Sequence, residues 1–72
     1  MSKKLTTLAK ELDFKETYEY FDYMAGSHFN GNFSQCKDLF NAMRYEDKKQ
    51  ALNYIKDNYR NENIYNFYFN LL

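Results

Sequence analysis

Apolar residues recur along the first part of the chain at helical intervals. Leu5, Leu8, Ala9 and Leu12 fall at i, i+3, i+4 and i+7, which predicts a short amphipathic helix over residues 4–12. Asp13 stands three residues ahead of Glu16, the spacing of a helix N-terminal capping pair. From there Phe14, Tyr18, Phe21, Ala25 and His28 share one face of a second helix over residues 14–28. Thr17 and Met24 lie beside that stripe, and Lys15, Glu19 and Asp22 lie opposite.

The stretch HFNGNFSQ, residues 28–35, interrupts the period. Asn30 or Gly31 suits the left-handed conformation that ends many helices. Asn32 or Ser34 suits the start of the next, with Gln35 three residues after Asn32. Phe29 and Phe33 flank this turn and are expected to pin it to the core. Cys36, Leu39, Phe40 and Met43 then repeat i, i+3, i+4, i+7 on a third helix. A break near Arg44–Asp47 follows, with Asp47 and Gln50 at capping spacing. A fourth helix over about 47–59 is expected to bury Ala51, Leu52, Ile55 and Tyr59, and NYRNEN, residues 58–63, has the composition of a turn.

The last segment, IYNFYFNLL (64–72), fits two periods. As a helix, Ile64, Phe67, Tyr68, Leu71 and Leu72 form a stripe; as a strand, Tyr65, Phe67, Phe69 and Leu71 share a face. Composition favours the helix. The chain has no Val, Trp or Pro and five β-branched residues, whereas strands are rich in β-branched types. Ala, Leu, Met, Lys and Glu favour helix. The expected fold is all-α: residues 1–72 form a single small domain, a compact bundle of four to five short helices, with 64–72 a helix or alternatively a strand.

A chain of 72 residues buries only roughly 60% of its unfolded surface and needs reinforcement. One cysteine, Cys36, permits no internal disulfide, and one histidine, His28, cannot complete a Cys/His zinc site with it. Dense aromatic packing or self-association remains. Eight Tyr and seven Phe supply the rings. Together with nine Asn, and eight Lys against two Arg, they match an AT-rich coding bias of the kind common in phages and mobile elements.

Charge and chemistry narrow the function classes. Ten acidic residues balance ten basic ones, so no net positive charge draws the chain to nucleic acid or an anionic membrane. No apolar run approaches the ~18 residues of a membrane span, and MSKKLTTLAKELD lacks the apolar centre of a secretory signal, so a cytoplasmic location is expected. Cys36 on an apolar stripe reads as a small buried hydrophobe and not as a thiolate nucleophile. The acidic clusters EYFD and YEDK lack the alternating ligands and central glycine of a calcium loop, so no metal or cofactor is expected.

LTTLAKELDFKETYEYFDYM has the outline of a helix-turn-helix. Its second helix would present Glu16, Glu19 and Asp22 to phosphates, and Asp13 replaces the usual turn glycine, which makes DNA binding the alternative reading only. The favoured reading is a small non-catalytic protein–protein interaction module. Its partner would be a second copy, as in a homodimer, or a larger host protein met by a phage or mobile-element accessory protein. Tyr20, Tyr23, Tyr45, Tyr65 and Phe69 lie off the predicted core stripes and are the candidate partner-binding residues, since tyrosine offers ring area with a polar tip.

Overall fold

The computed structural model describes residues 2–72. Among them are five helices: α1 (Leu5–Glu11), α2 (Thr17–Phe29), α3 (Phe33–Asn41), α4 (Tyr45–Asn58) and α5 (Glu62–Phe69). The all-α expectation holds, and the C-terminal segment is helix and not strand.

Residues in left-handed backbone conformation end three of these helices: Asp13 (φ 61°) after α1, Gly31 (φ 74°) after α2 and Arg60 (φ 50°) after α4. Asp13 N–H donates to Lys10 O (3.0 Å) and Phe14 N–H to Ala9 O (2.9 Å), which closes α1 in a Schellman turn. Gly31 and Asn32 close α2 in the same way on His28 O and Ser27 O, both at 3.0 Å. Asp13 is therefore a terminator of α1 and not the cap of α2. Glu16 takes that cap position, and Glu19 Oε2 accepts from the Lys15 and Glu16 backbone N–H groups at 2.8 and 2.9 Å.

Two asparagines cap as their chemistry dictates. Asn32 Oδ1 accepts from Gln35 N–H at 3.4 Å, and Asn61 Oδ1 accepts from Asn63 and Ile64 N–H at 3.0 and 3.2 Å. Asp47 works at a distance instead. Helix α4 starts at Tyr45, two residues before the expected start, and the Asp47 carboxylate accepts from Leu5 N–H at 3.2 Å, at the opening of α1. Lys3 N–H donates to Ala42 O at 2.9 Å beside this contact, so the N-terminal segment is tied to the α3–α4 link.

One hydrophobic cluster takes residues from all five helices. Leu5 and Leu8 enter from α1, Phe21, Met24 and Ala25 from α2, Cys36 and Phe40 from α3, Ala51, Leu52 and Ile55 from α4, and Ile64 and Tyr68 from α5. Rings pack through it: Phe40 lies tilted 5.3 Å from Tyr68, which meets Phe67 edge-on at 5.2 Å. The inner face of the apolar tail is thus covered by its own chain, with Ile64 and Tyr68 fully buried and Phe67 and Leu71 half-buried. Phe69 and Leu72 lie exposed; Leu72, expected on the buried stripe, falls outside it because α5 ends at Phe69. The accessible surface, 4894 Å², is close to the ~4,800 Å² of a folded monomer of this mass. No second copy is needed to shelter the core.

The expected face of α2 is rotated. Tyr20, placed outside by the sequence, is 1% exposed, and its hydroxyl donates to Leu39 O at 2.6 Å. Tyr18, placed inside, is 49% exposed. Leu12 also lies largely outside, because α1 ends before it, and Phe29 and Phe33 are exposed at the turn they were expected to anchor.

Candidate interaction surface

Helix α2 crosses the middle of the bundle and packs on α1, α3 and α4. Its buried arc is Tyr20, Phe21, Met24, Ala25 and Ser27. At about 100° per residue, the opposite arc is the line Asp22, Gly26, Asn30 at i, i+4, i+8. Tyr18 and Phe29 border this line on the α4 side, and Tyr23 borders it on the other.

The α4 border is a continuous aromatic band. Tyr18 stacks on Tyr54 (6.4 Å between centroids, 21° between planes), Tyr54 meets Tyr59 at 6.4 Å, and Tyr59 meets Phe29 at 6.2 Å. Phe29 is 62% exposed. Asp22 holds the band in place: its Oδ1 accepts from Tyr54 OH at 2.9 Å and from Tyr59 OH at 2.8 Å. Burial, reinforced by these bonds to a carboxylate, pushes both phenols up to about 12. Among the described residues Oδ2 of Asp22 takes no hydrogen bond and no cation pairs with it.

The sequence candidates are dispersed around the molecule. Tyr20 is a core residue whose phenol is raised to about 12, first by burial and then by the nearby Glu11 charge; it is no contact residue. Tyr23 rests edge-on against Phe14 at 5.9 Å and its hydroxyl accepts from Gln35 Nε2. Tyr45, 61% exposed, lies under the Lys49 ammonium (5.5 Å) at the start of α4. Tyr65 and Phe69 stack on each other at 5.9 Å on α5, and Tyr65 lines an open cleft with Lys56, Arg60 and Glu62. The structure brings together Tyr65 and Phe69 and leaves the others apart.

Sequence reasoning missed the α2–α4 band. Tyr18 was assigned inward because 14, 18, 21, 25, 28 has a helical rhythm, but residues 20, 21, 24, 25 and 28 fit that rhythm equally well. Asp22, read as a solvated charge, joins two helices through its tyrosine partners.

Cys36 and His28 are both packed among neighbouring groups. Cys36 is fully buried with Sγ 3.9 Å from Met24 O, and His28 is wedged edge-on between Phe33 (5.3 Å) and Phe67 (5.2 Å). No three His, Cys, Asp or Glu side chains converge on a metal position among the described residues, and no described helix is long and apolar enough to cross a membrane.

Fold and surface together define a small helical bundle with an outward aromatic band. No protein-family model, curated protein or solved structure matches the chain.

Proposed function

We propose that the chain is a non-catalytic module that works by binding another protein. The observation that carries this reading is the band Tyr18–Tyr54–Tyr59–Phe29, ring surface left open on a bundle whose core is already closed. Rings of this kind give large contact area at low entropic cost and dominate binding hot spots. If the residue composition is taken as the AT-rich bias of a phage or mobile-element accessory protein, the partner is a host protein met in the cytoplasm. Covering a core is no longer a reason for self-association, which puts a second protein ahead of a homodimer.

Light scattering and affinity capture from the native host test the reading together. The expected mass is 8.8 kDa, with a partner captured by the native chain and lost on Tyr18→Ser/Phe29→Ser. A chain that captures nothing, or captures the same proteins through the double variant, is not acting through this band. Salt-sensitive retardation of duplex DNA would instead favour the helix-turn-helix alternative.

A further inference from the structure

We propose that the open face of α2 is a docking groove for a basic amphipathic helix of the partner protein. This rests on the protein-binding reading and gives it a location and a partner chemistry. Glycine is the poorest helix former after proline, yet Gly26 sits inside the 13-residue α2. No packing contact requires it: a Cβ built there meets nothing within 4 Å, and its backbone dihedrals suit any residue. What Gly26 does is lower the floor between the Tyr18/Phe29 wall and Tyr23. An incoming side chain can reach the helix backbone at that point, the geometry by which a knob from one helix enters a hole on another.

The charge on this face selects the occupant. Helix α2 contains no Lys or Arg, although the chain has ten, and its outward charges are Glu19 and Asp22. Glu19 is committed to the helix start through Lys15 and Glu16. Asp22, one turn from Gly26, keeps Oδ2 free while its tyrosine partners fix the carboxylate against the aromatic wall. A Lys or Arg on the incoming helix pairs with Oδ2 and lays its stem or guanidinium on Tyr18, combining an ion pair with a cation–π contact. An acidic segment or a phosphate backbone meets repulsion on the same face.

The test is a ¹H–¹⁵N titration of the intact chain with a synthetic amphipathic helix carrying Leu on one face and Lys/Arg on the other. The expected result is shifts confined to residues 18–30 with Tyr54 and Tyr59. Affinity should fall about tenfold or more on Gly26→Leu, which fills the floor while helical circular dichroism is retained. Equal binding of a Glu-faced peptide overturns the proposal. So do shifts centred on Tyr45 or Phe69, α2 shifts that follow the chain's own concentration without peptide, or the same shifts produced by duplex DNA. Partner capture that survives Gly26→Leu but is lost on Phe69→Ser would overturn the groove and leave the protein-binding reading standing.

Discussion

Asp22 and Gly26 show how much a single position decides in a bundle this small. Asp22 is the shared hydrogen-bond acceptor of Tyr54 in α4 and of Tyr59 at its C-cap, beside the ring contacts these phenols make with α2. Asp22→Ala leaves both hydroxyls without their acceptor and is expected to cost about 1–3 kcal/mol by urea unfolding. Asp22→Asn keeps an acceptor oxygen and should lose less than half of that; equal losses would mean the carboxylate is merely near the hydroxyls. Gly26→Ala has the opposite sign. With open space at the Cβ, alanine removes backbone freedom from the unfolded chain and should stabilise by about 0.5–1 kcal/mol. A loss on Gly26→Ala would reveal a packing role that the structure does not contain. At this scale the sequence was a partial guide. It placed Tyr23, Tyr45 and Phe69 outward, where they are exposed, but also Tyr65, which is half-buried against the core. It exchanged Tyr18 for Tyr20, because two stripes one residue-step apart share the same period and only the packing of α1, α3 and α4 selects between them.

Helices were more legible than their ends. The apolar period found four of them within a few residues, since each element must turn a stripe toward one core. For the fifth, 64–72, helical and strand periods both fit, and composition favours the helix that the structure contains. Gly31 and Asn32 announced their turn in the residue types themselves. Asp13 reads in the sequence as a cap and not a terminator. At 58–63 the residue types mark the turn without marking Arg60 as its left-handed residue, because the chain's path puts an arginine there. That reading gives a direct test: Arg60→Gly should raise stability by about 1 kcal/mol in thermal or urea unfolding, by removing the Cβ clash at φ 50°. No gain would mean that the Arg60 side chain offsets its own strain. The tail offers a second. Ile64 and Tyr68 are fully buried, and each apolar side chain of that size contributes about 1.5–3 kcal/mol. A core of this size supplies only about 3–5 kcal/mol in all, so deleting residues 64–72 should abolish the helical signal and the dispersed NMR spectrum. A truncated chain that stayed folded would show that α5 is an accessory and not a wall of the core.

At the scale of the whole molecule, four phenols lose their protons less readily than free tyrosine. Tyr20, Tyr54 and Tyr59 are raised to about 12, and Tyr68, buried with its hydroxyl donating to Met24 O at 2.7 Å, is raised further, in each case first by burial. An unfolded tyrosine loses its proton near pH ~10. Below that value both states keep their protons and the full stability is present. Between about pH 10 and 12 the unfolded chain releases protons that the folded chain retains, so the balance moves toward unfolding as pH rises. The melting temperature should therefore hold to about pH 9 and fall steeply above 10, with phenolate absorbance at 295 nm appearing together with loss of helix. Surface lysines also lose charge in this range, but Tyr54→Phe/Tyr59→Phe separates the two causes. Removing those hydroxyls should flatten part of the alkaline fall, whereas a lysine effect would persist unchanged. A native chain whose melting temperature stayed level to pH 12 would mean that water reaches these hydroxyls freely, and the aromatic band across α2 and α4 would then be too loose to present a fixed surface to any partner.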